Sequence, residues 1–179
     1  MNALDLNLID VSIGLFNPKS PENVNSVMRA AGNYGVDAVF YTGSRYQKAL
    51  KLNPNMPNVR RSISYNIPLK AADCLIASVT KNTRIVCIEF AENATPLPQY
   101  QHANKACYIF GPEDGSLSQA IIDKADDVVY VPTTGCMNLA ASVNVLLYDR
   151  LLKLSPPDNG NQLIQKSRDT NNNLTVRTK

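Results

Sequence analysis

Polar side chains that could do chemistry are concentrated in three short segments of the sequence. "SPENVNSVMR" holds Asn23 and, six residues later, Arg29; "GPEDGSL" holds Glu113; "PTTGCMNLA" holds Asn138. Amide, carboxylate and guanidinium groups can orient a polar ligand and stabilise charge that develops on it. Each segment follows a predicted apolar strand, and ligands of α/β proteins normally bind beyond the carboxyl ends of the strands. We therefore expect the three segments to meet in one cleft.

Short apolar strands alternate with helical patterns in the elements that must position these segments. The sequence predicts strands at 9–16, 37–43, 84–90, 105–111 and 127–132, and helices at 24–34, 70–81, 116–125 and 138–154. Residues 44–66 are expected to form a surface loop that could include one helical turn. The alternation indicates an α/β fold, and strands that are apolar throughout indicate burial on both faces. We predict a three-layer sandwich with a mostly parallel sheet.

Length and composition predict one domain, at residues 1–154, and a polar tail at 155–179 that is disordered or loosely docked. No run approaches the roughly 20 apolar residues that span a bilayer, and the N-terminus is acidic where a secretory signal would be basic. A cytoplasmic protein without membrane contact is expected. The net charge of +3 permits a nucleic-acid partner without requiring one, and "RYQKALK" and "VRRS" could contact phosphates.

Several kinds of chemistry are disfavoured by missing motifs. The sequence has no G-x-G-x-x-G, no phosphate-binding loop and no G-x-S-x-G, which argues against dinucleotide, nucleoside-triphosphate and α/β-hydrolase chemistry. One histidine, His102, lies in a Pro- and Gln-rich linker, so a Ser-His-Asp triad is not expected. Four scattered cysteines without a C-x-x-C pair support neither disulfides nor a zinc site, and no metal is predicted.

Together, the three segments resemble the motifs of the SpoU/TrmH branch of the SPOUT methyltransferases. The shared features are an Asn six residues before an Arg, a Gly-x-Glu turn, and an Asn at the head of the last helix after a Pro-containing loop. The resemblance covers Val11–Leu154. It implies methyl transfer from S-adenosylmethionine to a ribose 2′-hydroxyl of RNA, a C-terminal trefoil knot, and a homodimer through the last helix that completes two composite active sites.

The resemblance also implies roles for individual residues. Arg29 would act with an RNA phosphate at the attacking 2′-hydroxyl, Asn23 and Glu113 would orient Arg29 and the loops, and Asn138 would bond to the site. Contacts to the cofactor, mostly through backbone groups, are expected from Glu89 or Phe90, Gly111, Val131, Cys136 and Leu139. Many relatives carry a Ser at the position of Cys136, and a thiol is a weak hydrogen-bond donor. No metal is needed.

Each of these residues also has a structural interpretation. Asn23 and Asn138 could be helix caps, Arg29 could face water, Glu113 could cap a helix or balance a lysine, and Cys136 could be a buried small residue. Three other functions stay open: a non-catalytic RNA-binding member of the same fold, a methyltransferase acting on a base, and a nucleotide-binding oxidoreductase. We expect tRNA rather than rRNA as substrate because the sequence shows no separate RNA-binding domain.

Overall fold

A parallel sheet forms the centre of the structure, a computed structural model that describes residues 10–52, 66–154 and 160–177. Its seven strands are Val11–Leu15 (β1), Ala38–Tyr41 (β2), Leu69–Ala71 (β3), Arg84–Ile88 (β4), Thr95–Pro96 (β5), Ala106–Phe110 (β6) and Asp127–Tyr130 (β7). They lie in the order β3-β2-β1-β6-β4-β7-β5, and every neighbouring pair is parallel. The predicted parallel α/β sheet is confirmed.

Helices cover both faces of this sheet. They are Pro21–Asn33 (α1), Arg45–Leu52 (α2), Gln119–Ile122 (α3), Leu139–Leu154 (α4) and Asn161–Ser167 (α5), with 3₁₀ turns at Ile76–Ser78 and Leu97–Gln99. On one face α1 and α4 pack together over a core that includes Val27 and Leu146, whereas Leu75 and Leu117 belong to a second core on the other face. The structure therefore has three layers, as predicted.

Helix α1 begins three residues before the predicted start because of its capping sequence. The Ser20 hydroxyl accepts a hydrogen bond from the backbone N–H of Asn23 at 3.2 Å, and Pro21 takes the first helical position. After the helix, Gly35 adopts a positive φ of 66°. Asn23 thus lies in the first turn of α1 with its side chain free for other contacts, and the cap is Ser20.

The predicted helix at 70–81 is wrong. Leu69–Ala71 instead forms an edge strand paired with β2, and the Ala72 N–H donates to Tyr41 O at 2.9 Å. A single 3₁₀ turn follows at Ile76–Ser78. Leu75, one of the apolar residues at helical spacing, still packs in the second core. The first residues of the segment, however, pair with β2 as a strand.

Other differences concern element length. Helix α2 occupies two turns of the predicted 44–66 loop, whose residues 53–65 lie outside the described part of the chain. Helix α3 is one turn rather than the ten residues predicted. In the polar tail, α5 forms a helix that buries none of its residues. No helix among the described residues is long and apolar enough to cross a bilayer.

The register of the sheet brings the predicted segments to one place. Leu15 pairs with Phe110, Phe110 with Ile88, and Ile88 with Val129, so four adjacent strands end in line. The loops that follow β1, β4, β6 and β7 consequently leave the same edge of the sheet side by side. Whether the C-terminal segment threads through a knot stays a prediction.

Candidate active site

A cavity of about 460 Å³ opens beyond the carboxyl ends of β4, β6 and β7. This volume lies within the range of small-molecule sites. Six residues predicted to contact a cofactor line it: Glu89, Phe90, Gly111, Val131, Cys136 and Leu139. The walls also include residues that were not predicted, among them Tyr130, Met137 and Ser142. The second and third sequence segments and the β4 end therefore converge on one concave site, whereas no residue of the first segment lines it.

Three of the four predicted catalytic residues form a continuous hydrogen-bond network at this edge. Asn138 Nδ2 donates to Asn23 Oδ1 at 2.9 Å, and Asn23 Nδ2 donates to Glu113 Oε1 at 3.1 Å. These residues come from the head of α4, the first turn of α1 and the loop after β6. Each amide thus has a fixed orientation, and the network joins all three motifs.

The carboxylate of Glu113 ends this network against backbone donors. Its two oxygens accept hydrogen bonds from the N–H groups of Lys19 at 2.8 Å and Ser20 at 3.0 Å. Burial alone would raise the pKa of Glu113, but these backbone hydrogen bonds and the Asn23 amide together lower it below the ordinary value of 4.5. Glu113 is therefore a fixed anion that ties the loop after β6 to the start of α1.

Asn138 is both a helix cap and a member of the network. Its Oδ1 accepts from the backbone N–H groups of Ala140 at 2.9 Å and Ala141 at 3.3 Å, at the start of α4. Its Nδ2 is left to bond Asn23. The capping interpretation is thus correct for one end of the side chain, and the other end lies in the site.

Glu89 uses its side chain, not its backbone alone, to shape the cavity. The carboxylate accepts from the N–H groups of Phe90 at 3.0 Å and Leu117 at 2.8 Å, which holds the loop after β6 against the end of β4. A Cβ at Gly111 would lie 3.3 Å from both Glu89 Oε2 and Leu117 N. A side chain at position 111 would thus be tight against both atoms, and glycine permits this close approach.

The loop between β7 and α4 presents backbone and small side chains to the cavity. Thr133 Oγ1 donates to Gly135 O at 2.7 Å and so closes the loop on itself. Cys136 is exposed on the cavity wall, and the interpretation of this residue as a buried hydrophobe is wrong. Its neighbour in sequence along the wall, Met137, is half-buried.

An aromatic pair stands at the cavity rim. Phe90 and Tyr130 have ring centroids 6.0 Å apart at an interplanar angle of 43°, and Phe90 is 51% exposed. Tyr130 was missed by sequence reasoning, although its position as the last residue of a strand before the Pro132 loop is a usable signal. Accessible aromatic rings in a cleft favour a planar ligand.

Arg29, the fourth predicted catalytic residue, lies apart from this network. It is exposed on α1 and is absent from the cavity lining. Within the described part of the chain it makes no hydrogen bond or ion pair. The structure of one chain therefore does not bring Arg29 together with Asn23, Glu113 and Asn138.

A charged clasp, defined as Lys19, Arg45 and Asp114, borders the cavity next to Glu113. Arg45 binds Asp114 through two parallel hydrogen bonds of 2.8 Å, and Lys19 Nζ lies 3.4 Å from the same carboxylate. Bonding to Arg45 lowers the pKa of Asp114 to about 2. Because Asp114 also lines the cavity, the clasp fixes the start of α2 at the cavity rim.

Both ring nitrogens of His102 have hydrogen-bond partners in the protein interior. Its ring is buried, with Nδ1 2.7 Å from the Tyr108 hydroxyl and Nε2 2.9 Å from Asp149 Oδ2. Neither partner is a nucleophilic serine, in agreement with the expectation that no triad is built on it. Among the described residues, no group of His, Cys, Asp and Glu side chains is arranged to hold a metal ion.

Comparison with known proteins defines the class. Residues 10–148 match the model of the SpoU rRNA Methylase family, so the chain belongs to that family and the resemblance drawn from its motifs is confirmed. The chain is 27% identical over 157 residues to the tRNA (cytidine-2′-O-)-methyltransferase TrmJ of Methanocaldococcus jannaschii, an alignment covering 79% of this chain and 67% of that protein.

Solved structures share the fold. The first is a protein studied for the 2-OH methylation of C/U34 on tRNA. It superposes with a TM-score of 0.66 at 18% identity, over 80% of this chain and 90% of the other. The SpoU methyltransferase AviRb of Streptomyces viridochromogenes, in complex with the cofactor AdoMet, gives 0.62 at 19% identity, covering 83% and 61%.

Proposed function

We propose that this protein transfers a methyl group from S-adenosylmethionine to a ribose 2′-hydroxyl of tRNA. The observation that carries the proposal is the cavity, on whose walls the six expected cofactor residues meet and at whose edge three motifs share one hydrogen-bond network. Membership of a methylase family and the similarity to a tRNA 2′-O-methyltransferase support it. The alternative substrate, rRNA, is supported by the family description and is distinguished by experiment.

The residues around the cavity fit S-adenosylmethionine. Ile88, Phe110, Val131 and Leu139 give apolar walls. The exposed Phe90 ring and the half-buried Tyr130 ring suit a planar adenine. The carboxylates of Glu89 and Glu113 also line the cavity and favour a cationic ligand. When bound, S-adenosylmethionine would supply a methyl group activated by a sulfonium centre, whose neutral thioether is a good leaving group.

The chain's own residues position the acceptor. The Arg29 guanidinium is a cation with no proton-accepting atom, so it binds the phosphate beside the target ribose and stabilises negative charge on the attacking 2′-oxygen. The proton of the 2′-hydroxyl passes to solvent water as the oxygen bonds the methyl carbon and the carbon–sulfur bond breaks. The fixed Asn23–Glu113 pair and the Asn138 amide hold the loops that surround the reacting atoms. This arrangement works through positioning and electrostatics and uses no metal.

A homodimer reconciles the exposed position of Arg29 with a catalytic role. Ala141, Val145, Tyr148 and Leu152 form an apolar stripe, the α4 stripe, along the exposed side of α4, opposite the side that packs in the core. Tyr148 is 52% exposed. Pairing of two chains through this stripe buries apolar surface and lets Arg29 of one chain serve the cavity of the other.

The remaining features of the proposal concern the chain as a whole. Residues 1–154 form the catalytic domain and residues 155–179 a polar tail outside its core. The C-terminal part of the domain carries the trefoil knot, and the protein acts in the cytoplasm, where its tRNA substrate is found. No membrane partner is involved.

The decisive experiment follows methyl transfer and cofactor binding separately. Purified wild type is expected to bind S-adenosylmethionine by calorimetry and to label tRNA at a 2′-hydroxyl, detected as a site resistant to alkaline hydrolysis. Arg29→Ala should keep its affinity for the cofactor and lose transfer. Labelling of rRNA but not tRNA would show that rRNA is the substrate, and labelling of a base would show that the protein is a base methyltransferase. Binding of NADH in place of S-adenosylmethionine would overturn the proposal.

A further inference from the structure

Positive charge is distributed very unevenly along this chain. Between Asp37 and Asp73 the sequence contains six basic residues and no acidic residue. The whole chain has 18 basic and 15 acidic residues, so without these six the balance changes from +3 to −3. The excess positive charge of the protein therefore lies in one segment, which a modest net charge conceals.

Helix α2 contains three of these basic residues, Arg45, Lys48 and Lys51, and begins at the rim of the cavity. It follows the carboxyl end of β2, and the clasp between Arg45 and Asp114 fixes its first residue at the rim of the cavity. The helix also packs against α1, the helix that carries Arg29. Lys48 and Lys51 lie about 4.5 and 9 Å beyond Arg45 along the axis, at 1.5 Å per residue.

Lys48 and Lys51 are available for a ligand. Both are exposed, and in the described ranges neither has an ion-pair partner. Arg45, by contrast, is already neutralised by Asp114. Helix α2 has no acidic residue of its own, and its buried residue, Tyr46, faces Tyr41 on the side toward the core. The two lysines thus form a basic face pointing away from the protein next to the cavity.

We propose that the Lys48–Lys51 face of α2 is a docking surface for the phosphate backbone of the RNA substrate. This inference rests on the proposed function and adds where the RNA approaches: along α2, toward the cavity rim at the clasp. Exposed lysines bind phosphates as flexible point charges and release counterions, so they contribute affinity and not base specificity.

Charge reversal at matched positions tests the surface. The test variant is Lys48→Glu/Lys51→Glu, and the control is Lys81→Glu/Lys124→Glu, whose lysines are exposed before β4 and β7 at the opposite, amino edge of the sheet. Both variants change the net charge equally, and Glu has nearly the helix propensity of Lys. A pool of unmodified tRNA transcripts serves as substrate, at several salt concentrations.

The test variant should raise KM for tRNA about tenfold or more and lower the slope of log affinity against log salt by about one or two, whereas the control changes KM less than about twofold. Its kcat at saturating tRNA and its affinity for S-adenosylmethionine should equal those of wild type. Equal losses in both variants, or no loss in the test variant while wild type methylates tRNA, would overturn the docking surface alone. Wild type that binds S-adenosylmethionine but neither binds nor methylates tRNA would overturn both this surface and the proposed substrate.

Discussion

The two ends of the Asn138 side chain do different things, and one substitution separates them. In Asn138→Asp the carboxylate still accepts from the start of α4, but the donor to Asn23 is lost. We expect the free energy of unfolding to change by less than about 1 kcal/mol, since Asp and Asn cap helices equally well. Methyl transfer should fall at least tenfold, measured by incorporation of labelled methyl into tRNA.

Asn138→Ala is the control for this prediction, because it removes both the cap and the donor. It should lose about 1 kcal/mol of stability in urea unfolding as well as transfer. If Asn138→Asp is as active as wild type, Asn138 is a helix cap alone.

At the scale of single residues, local motifs predicted most of the site but not its charged clasp. Asn23, Glu113 and Asn138 were predicted because three segments at strand ends together resemble the SpoU/TrmH motifs. Arg45 and Asp114 are 69 positions apart, and nothing in either local sequence indicates that the loop after β6 and the start of α2 meet. Such pairs depend on strand order, which one sequence does not reveal.

Between elements, the clasp should matter more for the reaction than for stability. Asp114→Asn removes the charge that binds Arg45 and frees the start of α2 and the loop after β6. Because the pair is solvent-exposed, we expect a change in unfolding free energy below about 1 kcal/mol. We expect a severalfold weaker affinity for S-adenosylmethionine, measured by calorimetry, since Asp114 also lines the cavity.

An exchange of the two charges tests the clasp itself. Arg45→Asp combined with Asp114→Arg should recover part of the affinity that either single substitution loses. Asp123→Asn, at an exposed acid after α3, is the matched control and should have no effect. Absence of recovery in the exchanged pair would show that the Asp114 carboxylate acts directly on the ligand.

His102 makes the contact between α4 and the loop before β6 sensitive to pH. The neutral ring completes a chain of hydrogen bonds. Arg150 donates to the Tyr108 hydroxyl, the Tyr108 hydroxyl donates to Nδ1 of His102, and Nε2–H of His102 donates to Asp149. Burial lowers the pKa of His102 below 6.5, although Asp149 opposes this shift. The unfolded chain therefore takes up a proton near pH 6.5 that the folded chain does not.

The contribution of neutral His102 to the free energy of unfolding is therefore fully present above about pH 6.5 and decreases as the pH falls below that value. Urea unfolding at pH 7.5 and 5.5 should show this loss in wild type. His102 is the one histidine of the sequence, so His102→Gln should flatten the difference between the two pH values. A pH dependence that is unchanged in His102→Gln would assign it to the carboxylates.

Element by element, prediction succeeded where burial on two faces determines the pattern and failed at a sheet edge. Strands β1, β4, β6 and β7 lie in the interior of the sheet and were recognised from continuous apolar runs. The edge strand β3 was predicted as a helix because its short segment is followed by apolar residues at helical spacing. Its pairing with β2 is a tertiary contact that outweighs local preference.

For the molecule as a whole, the α4 stripe predicts the oligomeric state. Tyr148→Glu places a charge in the middle of the stripe and should convert a dimer to a monomer, measured by light scattering at micromolar concentration. Leu163→Glu on α5 is a matched control because Leu163 is 51% exposed, against 52% for Tyr148. A Tyr148→Glu protein that remains dimeric would show that α4 is not the interface.

Complementation between two inactive variants tests whether Arg29 acts on the partner's cavity. Cys136→Trp fills the cavity from an exposed wall position and should abolish binding of S-adenosylmethionine. In a heterodimer of Arg29→Ala and Cys136→Trp, one intact cavity then faces one intact Arg29 of the other chain, and about half of the wild-type rate should return. A heterodimer as inactive as its parents would place Arg29 and the cavity in the same chain.

The strand order also has a consequence for how the chain folds as it is made. β1 pairs along one side with β2 and along the other with β6. The pairing of Val11 with Ala106 can therefore form only after residue 106 has been synthesised. At ~5–20 residues per second, translation takes roughly 5–20 s to supply that partner. During this time an apolar strand from the interior of the finished sheet is a nascent edge, and we expect a chaperone to shield it.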